Sequence, residues 1–187
     1  MTAESVLRNL LGLRIFTAGH AADMREFGLR HPDASDDSPE AEWFLHIQCS
    51  WRIESLSQIV TGSFDWFEPA DRSQEMRPNW DPATGGSLQD SNLREVFQDP
   101  QRGDRRIQNR TDKLVVIEAN SDNFGDLLVV LSGGFRLRVF PAGSRGEFWR
   151  VFKKGDLDSH FICEGQNAAE GHEAEGEAEG RGREDRR

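Results

Sequence analysis

The chain has 187 residues, with 33 Asp+Glu against 23 Lys+Arg for a net charge of −10, and 36% of its residues are hydrophobic. That length allows one domain with or without a tail, and the acidic balance disfavours nucleic-acid binding by bulk charge. No window approaches the roughly 18 apolar residues that cross a bilayer, no signal-peptide pattern surrounds Arg8, and Cys49 and Cys163 are too few for a disulfide framework. A cytoplasmic setting without membrane contact is therefore expected.

Thr2 followed by Val6, Leu7, Leu10 and Leu11 predicts a short helix that Gly12 terminates. Leu13 to Thr17 has the pattern of a strand. Ala22 to Leu29 fits a strand with Phe27 and Leu29 on one side or a short helix, and the strand is favoured because it can form a hairpin with the next element. Asp33 to Glu40 is a polar loop. From Trp43 to Ile53 the residues Trp43, Leu45, Ile47, Cys49, Trp51 and Ile53 alternate strictly with polar ones, which predicts one long half-buried strand. Ile59 to Phe67 continues the pattern with Val60, Phe64 and Trp66 on one face, pairing back through Ser55 to Gln58. Glu68 to Gly86 is irregular, with Pro69, Pro78 and Pro82.

Asp90 can cap a short helix carrying Leu93, Val96 and Phe97 on one face, and Pro100 stops it. After a loop from Pro100 to Asp112, strands are expected at Leu114 to Ala119, Leu127 to Leu131, Phe135 to Phe140, Phe148 to Phe152 and His160 to Cys163. Ser121 to Gly125 makes one turn, and Gly133-Gly134 is a tight two-residue hairpin signal. About nine strands and two short helices predict a mainly β domain (β-rich α+β) over residues 1–163, an antiparallel curved sheet or barrel-like meander. From Glu164 to Arg187 there is no large apolar residue, so a disordered acidic tail is expected. That tail holds eight acids and four bases, and taking its −4 from −10 leaves −6 on the body.

The polar side chains of the alternating segment suggest a ligand site. His46, Gln48, Ser50 and Arg52 would share one strand face, with Asp65 or Ser63 brought beside them by the paired neighbour. Arg52 could clamp an anion bidentately and His46 could change protonation near neutrality. His160 would join them only if the last strand lies close to the first ones. A solvated face is the plain alternative, since alternation alone generates such a row. Cys49 faces inward among apolar residues and is a poor nucleophile candidate. Trp80, in a Pro- and Gly-containing loop, is an interface candidate. The stretch Arg102 to Lys113 carries five bases and two acids and, through Arg105, Arg106 and Arg110, could touch a partner. It lacks the aromatics that stack single-stranded nucleic acid. Within it, Asn109-Arg110-Thr111 matches a glycosylation pattern that a cytoplasmic setting would leave unused. No phosphate loop, dinucleotide fingerprint, nucleophile elbow or Cys/His cluster occurs, so no catalytic residue, cofactor or metal is expected.

Taken in order, LLGLRIFTAGHAADM, EWFLHIQCSWRIE, QIVTGSFDWFEP, VVLSGGFRLRVFP and EFWRVFKKGDLDSHFICEG resemble a small, mainly actinobacterial protein family of unknown function over about residues 6–165. The resemblance implies no catalytic residue. By analogy of class, small acidic bacterial domains are sometimes immunity proteins of toxin systems, which implies a protein partner. The leading expectation is thus a non-enzymatic β-domain that binds a protein partner, immunity- or regulator-like. The alternative is a small-ligand-binding protein or enzyme with a polar pocket on the open face of the sheet.

Overall fold

The structure is a computed structural model that describes residues 2–22, 24–34, 40–74, 79–101 and 106–165. The expected tail beyond position 165, positions 35–39 of the polar loop and positions 102–105 of the Arg-rich loop, Arg105 among them, lie outside the described residues.

The chain opens with α1 (Ala3–Leu7), capped reciprocally: Thr2 Oγ1 accepts from the Ser5 N–H at 3.2 Å and Ser5 Oγ from the Thr2 N–H at 3.1 Å. A 3₁₀ turn follows, and Gly12 takes the positive φ of 78° that ends it. The hairpin β1 (Arg14–Ala21) and β2 (Met24–Arg30) leads to β3 (Trp43–Ile47). Next come β4 (Ser50–Glu54) and β5 (Ile59–Gly62), then the helices α2 (Pro82–Gly85) and α3 (Leu88–Phe97). The remainder is β6 (Ile107–Gln108), β7 (Val116–Ser121), β8 (Leu127–Leu131), β9 (Phe135–Phe140), β10 (Glu147–Lys153) and β11 (Asp156–Glu164).

These strands form two antiparallel sheets, ordered β11-β10-β3-β2-β1-β6 and β5-β4-β9-β8-β7. Their inward residues make one core: Phe27, Leu45, Ile47, Trp149 and Val151 from the first sheet, and Trp51, Ile53, Val129, Leu137 and Val139 from the second. Burying each such side chain contributes about 1.5–3 kcal/mol. Val6, Leu7 and Leu10 from the N-terminal helical turns and Leu93 and Phe97 from α3 belong to the same core. At one corner the sheets are stitched by backbone bonds, Gly12 and Ile15 donating to Val116 and Leu114 while Val116 donates to Leu13. The protein is therefore mainly β, with two sheets and no closed barrel. Among the described residues no helix is long and apolar enough to cross a membrane.

Several local expectations are corrected. The single strand from Trp43 to Ile53 is two strands in different sheets, separated at Gln48-Cys49. The alternation survives the break because both sheets turn their inner faces to a common core, so periodicity reports burial and not sheet membership. The strand expected through Phe67 ends at Gly62, and a 3₁₀ turn, Ser63–Phe67, follows. Asp65 Oδ2 bends the chain there by accepting from the Gly62 N–H at 3.2 Å and the Thr61 hydroxyl at 2.9 Å. Gly62 is required by close approach, since a Cβ would stand 2.9 Å from the Trp51 carbonyl oxygen. Phe64 and Phe67 consequently face outward, 79% and 63% exposed, while Trp66 turns in.

The cap of α3 is Ser87 and not Asp90: Ser87 Oγ accepts from the Asp90 N–H at 3.1 Å, so the helix starts earlier than expected. The irregular stretch before it contains α2, and the loop after it contains β6. The two-residue hairpin is a three-residue loop, Ser132–Gly134, with Leu131 opposite Phe135. Asn109 is buried, its Nδ2 donating to the Ile15 carbonyl at 2.7 Å and its Oδ1 accepting from the Thr111 N–H at 2.9 Å, so the tripeptide there is a structural turn.

Candidate functional site

The break between β3 and β4 opens a concavity at one end of the two sheets. The β1–β2 hairpin contributes His20 and Arg25, the break itself Gln48 to Trp51, the 3₁₀ turn Ser63, Phe64, Trp66 and Phe67, and α3 Gln89. Together they line a cavity of about 250 Å³.

Arg25 is the chemical centre of this cavity. Strand phase sends it inward with Phe27 and Leu29, and it is only 2% exposed. Its Nη2 donates to Gln89 Oε1 and, at 3.0 Å, to Asp90 Oδ1. Its Nη1 is shielded from solvent and has no acceptor among the described residues. The guanidinium carbon lies 5.9 Å from the ring centroids of both Trp51 and Trp66, within cation–π range. His20 closes the group, its Nε2 at 3.9 Å from Asp90 Oδ2 and its ring 4.2 Å from that of Trp66. Burial pulls the Arg25 guanidinium below its ordinary range, and the charge of Asp90 opposes this. Gln89 is itself positioned by donating from Nε2 to the Gly62 carbonyl at 2.7 Å.

Cys49 also lines the cavity. Burial, with Cys163 and Asp126 adding to it, pushes its thiol up to about 12, which leaves almost no thiolate at neutral pH.

The residues expected to form the site are divided: Gln48, Ser50 and Ser63 do line the cavity, and the others lie elsewhere. Arg52 projects from the outer face of the second sheet, where its Nε donates to Glu54 at 2.6 Å and its guanidinium lies 5.2 Å from the Phe140 ring. The register sets Arg52 opposite Arg138, and Glu54 accepts from the Nε of both, so the positive charge expected to clamp an anion already has a carboxylate beside it. Asp65 is consumed by its turn and does not reach Arg52.

His46 on β3 and His160 on β11 flank Phe152 of the intervening β10: each ring stands 4.8 Å from that of Phe152, and Phe44 stacks on Phe152 at 5.3 Å. Neither histidine lines the Arg25 cavity. Trp80 is half-buried with its Nε1 shielded from solvent, Arg106 Nη2 lies 3.5 Å from Glu26 Oε1, and the exposed Arg110 donates its backbone N–H to the Phe97 carbonyl.

His46 Nε2 lies 3.2 Å from Glu26 Oε2. This contact holds the Glu26 carboxyl below its ordinary range, against the burial that opposes it, and Arg106 adds to the effect. A depressed carboxylate pKa stabilises the fold above the unfolded value of about 4 and loses that contribution as pH falls through the folded value. Glu26→Gln is therefore expected to melt below the wild type at pH 7, with the gap narrowing as pH falls below about 4, read from thermal melts across pH.

Sequence reasoning missed His20, Arg25, Trp66 and Gln89 as a group. One signal was present: in Met24–Arg30 the Arg25 side chain has the same phase as Phe27 and Leu29, so an arginine was already assigned to the apolar side.

Comparison of the chain with protein-family models, with curated proteins and with solved structures gave no match. Among the described residues no group of three His, Cys, Asp or Glu is placed to hold a metal ion.

Proposed function

We propose that the protein is a binding module whose cavity, walled by Trp51 and Trp66 and floored by Arg25, takes a small organic ligand. The observation that carries this reading is a buried, ion-paired guanidinium among the aromatic residues that line one concavity. Small-molecule sites combine apolar walls with a few convergent polar groups, and this is the arrangement of Arg25, Gln89, Ser50 and Ser63 among the aromatic residues. The two sheets make the walls rigid, so the site is preorganised. A cytoplasmic setting goes with this reading, since Cys49 and Cys163 are free thiols.

The test is a thermal-shift screen of small organic acids, amides and alcohols against the intact chain. A ligand at a hundred times its Kd should stabilise by about 2.7 kcal/mol. At roughly 2–4 °C per kcal/mol, that is readily measured. Ser63→Phe, which fills the cavity mouth, is expected to abolish the shift. Hits that stabilise this variant as well as the wild type would place binding elsewhere and overturn the reading.

Phe64 and Phe67 favour a second reading. Two exposed aromatic side chains beside a concave pocket are the pattern of an anchor site for a protein partner. A negative small-molecule screen, with pull-down of a partner that requires both phenylalanines, would select it.

A further inference from the structure

The outer face of the second sheet carries positive charge that its own acids do not balance. Trp51 and Ile53 of β4, Leu137 and Val139 of β9 and Val129 of β8 fill the core, so the alternate residues of these strands stand outside. The register sets them in two rows, Arg52, Arg138 and Leu128 in one and Glu54, Arg136 and Val130 in the other. Arg52 and Arg138 are directly opposite one another, which is unfavourable for like charges. Glu54 is the one carboxylate among these six residues. Burial pushes its carboxyl up, but hydrogen bonds from Arg52 and Arg138 outweigh that and hold it below its ordinary range, so it is an anion at neutral pH. Each of those arginines spends its Nε on Glu54. Their Nη atoms, and the whole guanidinium of the exposed Arg136, have no acceptor among the described residues, and unlike Arg25 Nη1 none of these nitrogens is shielded from solvent. The Arg52 and Arg138 side chains are each 39% exposed. Elsewhere cations have a carboxylate each, as Arg8 has Glu4, Arg150 has Glu147 and Lys154 has Glu40, whereas here three guanidiniums share one.

We propose that this face docks an acidic amphipathic helix of a partner protein, its carboxylates on Arg136 and Arg138 and its aliphatic side chains on Leu128 and Val130. The spacing favours this occupant. Arg136 and Arg138 are one two-residue strand step apart, about 6.7 Å, and helix residues i and i+4 are about 6 Å apart along the axis. Neighbouring strands lie about 4.8 Å apart, so a helix about 10 Å across covers the charged stripe on β9 and the aliphatic stripe on β8 together. Acids at i and i+4 with aliphatic residues at i+3 and i+7 form two adjacent stripes of that kind. A helix also satisfies its own backbone bonds, whereas an extended peptide laid on a sheet face finds no partners for them. At physiological salt, exposed charges more than about 8 Å away are largely screened, so these arginines, and not the net charge of −10, set the sign that a docking surface meets. A second copy pairing through the same face would set arginines against arginines. Single-stranded nucleic acid would call for several stacking aromatics, and the outward residues of β4, β8 and β9 include one, Phe140, which the Arg52 guanidinium already approaches at 5.2 Å. This surface lies outside the Arg25 cavity, so the small-ligand reading stands or falls separately.

The probe is an alanine-rich helical peptide of about 14 residues, the length that spans β9, with Glu at i and i+4 and Leu at i+3 and i+7. Its isostere carries Gln at each Glu position. Both are titrated into the intact wild-type chain, and the backbone amide signals of β8 and β9 are followed by nitrogen-15 NMR. The acidic peptide is expected to move the signals of Val130, Arg136 and Arg138 and to bind at least about tenfold more tightly than the isostere, a margin that vanishes at about 1 M salt. Arg136→Gln, at an exposed residue without a partner, is expected to weaken the acidic peptide and leave the isostere unchanged. Equal binding of the two peptides, movement confined to signals of other strands, or no movement at millimolar peptide each overturns the proposal. Phosphatidylserine vesicles that erase the same signals while the peptide leaves them in place would assign the face to a membrane surface. Movement of those signals with concentration in the chain alone would assign it to a second copy, and either result overturns the partner helix.

Discussion

Asp90→Ala is expected to destabilise the protein by about 3–5 kcal/mol, because it leaves the Arg25 guanidinium buried without its counter-charge. Arg25 is 2% exposed and Asp90 19% exposed at the side chain, so neither can turn to water without moving α3 away from the β1–β2 hairpin. Gln89 stays as the acceptor for Nη2 and satisfies one hydrogen bond without supplying charge. Removing both members tests the mechanism. Arg25→Met combined with Asp90→Leu should recover most of the loss, since a buried ion pair exchanged for apolar residues of similar volume is often neutral or stabilising. Urea midpoints for the single and double variants measure this. A single variant as stable as the wild type would show that the pair is not holding the hairpin to α3.

Trp149→Ala is the second large expected effect, a loss of about 3–5 kcal/mol for removing a fully buried indole. Trp149 lies on β10 opposite Ile47 of β3 and Cys163 of β11, one strand in from the edge of the first sheet. Its Nε1 reaches the other sheet and donates to the Gly125 carbonyl at 2.7 Å, in the turn that precedes β8. The side chain therefore fills the core and ties the two layers together. Trp149→Phe separates these roles: it keeps most of the apolar volume but drops the bond, so it should cost distinctly less than Trp149→Ala. Urea unfolding monitored by near-ultraviolet circular dichroism gives both values, and equal losses would mean that the hydrogen bond dominates.

The legible part of the fold was whatever depends on local period. The C-terminal strands fall where their alternation placed them: β8 and β9 match to the residue, and β10 and β11 match at their centres. These strands each present one side to the core and one to solvent, and the pleat copies that contrast into the chain with period two. β1 is the counter-example. Five consecutive residues, Ile15 to Gly19, are buried without alternating, because both faces of the strand are covered, so no pattern marked its extension to His20 and Ala21. The 3₁₀ turn at Ser63–Phe67 was missed for another reason: the spacing of Phe64 and Trp66 imitates a strand, while the bend is held by two hydrogen bonds that Asp65 accepts from Thr61 and Gly62.

The site was less legible than the fold, for the same physical reason. His46 and Arg52 have the same phase in one segment, but the chain changes sheets between them, and each ends on the outer face of a different layer. His20, Arg25, Trp51, Trp66 and Gln89 come from five separate segments and meet only when the layers close.

By itself, the sequence determined that this is an antiparallel β protein with an amphipathic N-terminal turn, because burial phase is a local property that hydrophobic spacing records. The tertiary structure alone decided which strands share a sheet, which turn points Trp66 inward, and that a buried arginine paired with Asp90 lines a cavity. Those outcomes depend on contacts between residues far apart in the chain, and no local pattern encodes such distances.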